Sequence, residues 1–256
     1  MCRWLAYSGT PIYMDEVIFN QKNSLIHQSL SARLSHVTTN GDGFGIGWYG
    51  ERDIPGTFHD ILPAWNDANL HTIAHHVKSG LFLAHVRAST GTATSRANCH
   101  PFRHKNWLFM HNGQIGEYQK VRRALEARVD DSLYPCRVGT TDSELIFYLL
   151  FSEGLEVDPQ GAITRTIAFV RQTMDEHNIE SAFRFTAVLS NGNSLYATRY
   201  ATDPEPPTLF WRDENGQRLI VSEPLDFEAD HWHEVAPSQL LIAERSGGIQ
   251  ELCLTL

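Results

Sequence analysis

The stretch FRFTAVLSNGNSLYATRY, residues 183–200, places the tightest limit on what this chain can fold into. Two runs of alternating apolar and polar residues flank Asn191-Gly192, and Asn-Gly readily supplies the positive φ angles of a two-residue hairpin turn. The chain must reverse there and pair with itself, so this part of its sheet is antiparallel. TLFWRDENGQRLIVSE repeats the design around Asn215-Gly216, and the short apolar runs FGIGWY, LFLAHV and NWLFMH add further strands. Helical periodicity occupies separate blocks. Leu70, Ile73, Ala74 and Val77 form one stripe that stops at Gly80, and Tyr118, Val121 and Leu125 form a second. Thr141 and Glu144 have capping-box spacing at the head of TTDSELIFYLL. Pro159 opens a longer helix with Ile163, Ile167, Val170 and Met174, expected to pack beside the preceding one. Strands and helices are grouped, without βαβ alternation, which predicts an α+β fold of antiparallel sheets with helical layers. The linker-like DPEPP at 203–207 is too short to divide the chain, so residues 1–256 read as a single domain.

A net charge of -9, with no lysine or arginine block, argues against nucleic acid or an anionic membrane as a partner. The longest apolar run, LIFYLLF, is too short to span a bilayer, and only WLAY follows Arg3 before Ser8 and Gly9, too little for a signal-peptide core. Cys2, Cys99, Cys136 and Cys253 are irregularly spaced with no CxxC pair, a pattern that suits a reducing cytoplasm better than a disulfide framework.

Cys2 follows the initiator Met, and its small side chain makes Met1 removable. Processing would leave a thiol and a free α-amine on one residue. With reference pKa values of about 7.7 to 8.0 for the amine and about 8.5 for the thiol, the amine can take the thiol proton near neutral pH. Arg87, at the end of FLAHVR, is read either as a surface ion-pair partner or as a guanidinium fork for a carboxylate. Asn112-Gly113 is read either as one more hairpin turn or as an oxyanion hole built from a side-chain amide and a backbone N–H. Asp142, in the first turn of a helix, either answers the helix dipole or holds an ammonium group. Eight of the thirteen histidines lie between His59 and His111, and His71 and His75, with Cys99, His100 and His104, are candidate zinc ligands. No HExxH glutamate accompanies them, and no metal is assigned.

Taken together, Cys2, HVRASTG, ANCHP, HNG and TTDSE, in this order and spacing, resemble the glutaminase domain of class II glutamine amidotransferases, which are N-terminal nucleophile hydrolases. DGFGIGWY and the late VSEPL extend the resemblance, and the MCRWLAY start is similar to the stand-alone branch that includes the γ-glutamyl amidase of ergothioneine biosynthesis. The resemblance implies a four-layer αββα sandwich. It makes Cys2 the nucleophile with its α-amine as base, Asn112 and Gly113 the oxyanion hole, Arg87 the partner of the substrate α-carboxylate and Asp142 of its α-ammonium. Thr90 and His100 take supporting places beside the substrate. No cofactor is implied.

The expected reaction is hydrolysis of the γ-amide of glutamine or a γ-glutamyl compound through a thioester on Cys2. Ala88 stands where many family members carry an aromatic residue, which points to a larger γ-glutamyl amide. With the sequence ending at Leu256, any ammonia acceptor or synthase is expected on a separate protein. The alternative is an unprocessed, catalytically idle glutamine-binding module.

Overall fold

The computed structural model describes residues 2–35, 37–89, 91, 93–245 and 247–256. The chain first lays down β1 (Arg3–Tyr13), β2 (Phe44–Tyr49), β3 (Gly56–Asp60) and β4 (Lys78–Val86), then β5 (Phe102–His104), β6 (Trp107–Ile115), β7 (Phe183–Ser190) and β8 (Ser194–Ala201). It closes with β9 (Phe210–Glu214), β10 (Gln217–Val221), β11 (His233–Glu234), β12 (Gln239–Glu244) and β13 (Ile249–Cys253). Among the described residues these strands form two antiparallel sheets. One runs β11-β9-β10-β1-β4-β2-β3 and the other β13-β12-β8-β7-β6-β5. The hairpins expected at Asn191-Gly192 and Asn215-Gly216 join β7 to β8 and β9 to β10.

Three buried clusters show the layering. Leu5, Tyr7, Phe82 and Val86 of the first sheet pack against α1 (Asp15–Ile18), α2 (Leu25–Leu30) and α3 (Ala68–His76). Phe109, Phe183 and Phe185 of the second pack against α4 (Tyr118–Glu126), α5 (Asp142–Ser152) and α6 (Pro159–Glu176). Between the sheets, Trp4, Ala6 and Leu83 meet Leu108, Met110 and Val188. Alternate side chains of β1, β4 and β6 thus serve different cores, as the two-residue period of a strand requires. The order of layers is helix, sheet, sheet, helix, the α+β sandwich that the resemblance implied.

Helix α5 is the most deeply set. Every residue from Ser143 to Phe151 is buried, which accounts for its continuous apolar run in place of a one-sided stripe. It lies against β6 and beside α6, and Phe147 stacks on Phe109 with ring centroids 5.3 Å apart. Its N-cap Thr141 side chain accepts the Glu144 N–H at 3.1 Å. The capping box is only half made, however, because the Glu144 carboxylate turns outward from the helix to accept the N–H groups of Val138 and Gly139.

The first periodic stripe ends differently from its sequence expectation. The helix stops at His76, Val77 is its C-cap, and Gly80 already belongs to β4. A Cβ on Gly80 would lie 2.8 Å from the Gly9 carbonyl, at the register shift between β1 and β4. Gly80 therefore serves a close strand crossing and not a helix stop.

Candidate active site

Cys2 immediately precedes β1, Arg87 immediately follows β4 and Asn112 lies near the end of β6, each in step with the strand residues that alternate toward the gap between the sheets. The N-terminus of α5 brings Asp142 to the same end. Cys2, Arg87, His100, Asn112, Gly113 and Asp142 line one cavity of about 100 Å3, together with Ala88, His111, Gln114, Ser143 and Arg184 among others. Six of the seven predicted site residues are thus brought together from separate parts of the chain. The seventh, Thr90, lies outside the described residues.

The Cys2 sulfur sits against the Ala88 peptide. Ala88 N–H donates to Sγ at 3.4 Å, and the thiol donates to the Ala88 carbonyl at 3.6 Å. Burial pushes the Cys2 pKa up, opposed by the Ala88 N–H and the charge of Arg87. The surroundings alone leave the thiol protonated at neutral pH, so a nucleophilic Cys2 needs a base.

Asn112-Gly113 is not a turn. Both residues lie inside β6, in register with Thr186 and Phe185 of β7. The Asn112 side chain is buried, and neither its Oδ1 nor its Nδ2 has a hydrogen-bond partner among the described residues. An unpaired buried amide costs about 1–3 kcal/mol, which a functional partner can recover. At Gly113 a Cβ would lie 1.9 Å from the Arg184 carbonyl and 2.6 Å from His111 Nε2, so only glycine fits.

The Arg87 guanidinium is buried and oriented by oxygen atoms. Nη1 donates to the Asp42 carbonyl at 3.2 Å, and Nη2 to the Ser89 hydroxyl and the Ala93 carbonyl, each at 3.3 Å. Asp142 accepts the Ile115 N–H on Oδ2 and the Ser143 N–H on Oδ1, both at 2.8 Å. Its carboxylate therefore joins α5 to the end of β6 while lining the cavity. The two readings of Asp142 are compatible, since a carboxylate has lone pairs beyond these two bonds.

Histidines fill the region behind these groups. His111 Nε2 lies 3.1 Å from the Arg184 carbonyl, which can only accept, so the ring carries its proton there and receives the Ser143 hydroxyl on Nδ1 at 2.8 Å. Burial lowers the His111 pKa, although the Asp142 charge opposes it. His100 Nδ1 pairs with His85 Nε2 at 2.9 Å, and burial, the larger effect, together with the positive charge of Arg87 holds both rings well below the ordinary imidazole range. These are neutral hydrogen-bonding rings at physiological pH. Of the candidate zinc-ligating histidines, His75 pairs with Asp15 on the exposed face of α3 at 2.7 Å. Among the described residues no three His, Cys, Asp or Glu side chains converge as a metal site.

Sequence reading missed the Ala88 peptide, the Asp42 contact and the Ser143–His111 pair. The first two act through backbone atoms, which leave no residue-type signal. His111 stood in the HNG motif, but nothing in the pattern linked it to Ser143.

Two face-to-face antiparallel sheets between helical layers, with a cysteine heading a strand at one end of the gap, define an N-terminal nucleophile hydrolase fold. Residues 17–203 match the family described as Glutamine amidotransferases class-II, and the chain belongs to that family. It is similar to the probable glutamine amidotransferase DUG3 of Saccharomyces cerevisiae, with 32% identity over 96% of this chain and 82% of the yeast protein. It is also similar to the gamma-glutamyl-hercynylcysteine sulfoxide hydrolase of Mycolicibacterium smegmatis, with 26% identity over 94% of this chain and 95% of that protein. A solved glutamine aminotransferase class-II domain protein from Silicibacter pomeroyi covers the whole chain, and is itself wholly covered, with a TM-score of 0.80 and 37% identity. The protein is an enzyme of this family.

Proposed function

We propose that the enzyme hydrolyses the γ-amide of glutamine or of a γ-glutamyl compound through a γ-glutamyl thioester on Cys2. The observation that carries this reading is the unpaired, buried Asn112 amide in the cavity that also holds the Cys2 thiol. With Met1 removed, the Cys2 α-amine takes the thiol proton as sulfur bonds to the γ-carbonyl carbon. The carbonyl oxygen becomes negative, and Asn112 Nδ2 and the Gly113 N–H donate to it. The C–N bond then breaks and the nitrogen leaves with the proton as ammonia or an amine. Water adds to the thioester, the C–S bond breaks, and glutamate and the free thiol result. Arg87 holds the α-carboxylate, Asp142 the α-ammonium, and His100 supports the wall.

Ala88 narrows the substrate class. Ala88 lines the cavity with a methyl group where many family members carry an aromatic residue, and a similar protein is named for hydrolysis of a γ-glutamyl conjugate, which together favour an amide larger than glutamine. No helix among the described residues is long and apolar enough to cross a membrane. The four free cysteines, which suit a reducing compartment, favour the cytoplasm as the place of the reaction.

The test is to confirm Met1 removal by intact mass, then incubate the protein with glutamine and a panel of γ-glutamyl amides while following glutamate release. A γ-electrophilic glutamine analogue should add once, on Cys2. Labelling of another cysteine with Cys2 untouched would overturn the mechanism.

A further inference from the structure

Arg87 can grip a carboxylate only if its fork is held in one orientation, and the segment just before β2 does this holding. Asp42 and Gly43 cross beside Arg87–Ser89 and make four hydrogen bonds to it. The Arg87 N–H donates to the Gly43 carbonyl at 2.8 Å, and the Asp42 N–H donates back to the Arg87 carbonyl at 3.0 Å. Arg87 Nη1 donates to the Asp42 carbonyl at 3.2 Å, so one residue contacts both the backbone and the head group of the arginine. The Asp42 side chain adds the fourth bond, with Oδ2 accepting the Ser89 N–H at 2.7 Å. Ser89 Oγ in turn accepts from Arg87 Nη2 at 3.3 Å, which closes a ring of contacts around the guanidinium.

The crossing is itself fixed. Gly43 has φ +112°, and a Cβ there would lie 2.8 Å from Cys99 Sγ and 2.9 Å from the Asp60 carbonyl. Only glycine brings its carbonyl so close to Arg87. Asp42 is half-buried and is not among the residues lining the cavity, so any effect it has on substrate passes through Arg87 and Ser89.

We infer that Asp42 is a positioning residue for substrate recognition: its carboxylate locks the Arg87–Ser89 segment and so aims the Arg87 fork at the substrate α-carboxylate. The inference rests on the proposed role of Arg87 and extends it to a residue outside the site. A charge-assisted bond from a carboxylate to a backbone N–H is strong enough for its loss to be read in binding. Asparagine keeps an oxygen in the same place but loses the charge.

The experiment compares the wild type with Asp42→Ala, Asp42→Asn and Arg87→Lys on two substrates. One is glutamine, or the best γ-glutamyl amide of the panel, and the other is the matching 4-aminobutanoyl amide, which lacks only the α-carboxylate. Asp42→Ala should raise KM for the carboxylate-bearing substrate about tenfold, with kcat changed less than about threefold. It should leave the 4-aminobutanoyl amide unaffected, and Asp42→Asn should recover most of the loss. If Arg87→Lys keeps the wild-type preference for the α-carboxylate, the reading of Arg87 fails. If Arg87→Lys loses that preference while Asp42→Ala keeps it, or if Asp42→Ala harms both substrates equally, Asp42 is only a structural tether and the inference is overturned.

Discussion

In the β7–β8 hairpin, Asn191 folds onto its own turn, with Oδ1 accepting the N–H groups of Asn193 and Ser194, both at 3.0 Å, and Gly192 at φ +93°. In β6 the same dipeptide runs straight. Asn112 makes no such bond, and Gly113 is required by the passing Arg184 backbone and not by a turn. The dipeptide is the same and its flanking residues are not, so the difference comes from what surrounds it. A dipeptide that satisfies its own polar groups stabilises a fold, whereas one left unsatisfied in a buried wall is available to a ligand.

Substitutions can break that comparison, and the largest effect belongs to Gly113→Ala. Its Cβ would overlap the Arg184 carbonyl, and the β6–β7 pairing must open. We expect a loss of about 3 kcal/mol or more in urea unfolding, or no folded protein. Gly192→Ala, limited to a positive φ and a 3.0 Å contact with the Tyr49 ring, should fold. If Gly113→Ala is tolerated as well as Gly192→Ala, close packing is not the reason for glycine in β6.

Next is Asn112→Ala, for which turnover should fall by about two to three orders of magnitude, or about 2.7–4 kcal/mol. Stability should hold or rise, because a buried unpaired amide is removed. Asn191→Ala should do the reverse, costing about 1 kcal/mol of stability through two lost bonds and sparing kcat. Steady-state kinetics and denaturation on the same two proteins decide it, and equal loss of turnover in both would sink the contrast.

Protonation sharpens the comparison because only the β6 region is backed by buried imidazoles. His85, His100 and His111 have folded-state pKa values below the ordinary 6.5, chiefly through burial, so the unfolded chain binds more protons as pH falls. Their stabilisation is complete above that value and is lost as pH drops toward the folded-state values. Glu144 works in the opposite sense nearer the carboxylate range, since burial raises its pKa. The thermal midpoint should therefore decline between about pH 7.5 and 6, and more gently in His85→Asn. An unchanged slope in that variant would remove His85 from the account.

The smallest effect is expected at Asn215-Gly216, in the β9–β10 turn. Gly216 has φ +80° and nothing within 4 Å of its missing Cβ. Gly216→Ala should then show backbone strain alone, about 1 kcal/mol by denaturation, with normal kinetics.

What was legible in the sequence follows the range of the interactions. Thr141 at the head of α5 and the turns at Asn191 and Asn215 could be read because each answers to residues a few positions away. Cys2, Arg87, Asn112, Gly113 and Asp142 were legible only as an ordered set, since any one of them has an ordinary structural reading. Gly80 misled because the same residue type ends helices and permits strand crossings, and the partner that decides between them, Gly9, lies far back in the chain. The contacts of Asp42 with Arg87 and of Ala88 with Cys2 were not legible, since both are made through peptide groups brought together by the fold.

The place of β1 in its sheet has a consequence for synthesis. Leu5 pairs on one side with Ala84 and on the other with Val221. A ribosome adding about 5–20 residues each second takes roughly 10 to 40 s to cover the 200 or so residues from β1 to β10. Through that interval β1 lacks its second neighbour, and its first residues are not yet enclosed by β10. The Met1 removal proposed above can thus come before the pocket is enclosed, and a test of that proposal calls for fusion tags at the other terminus.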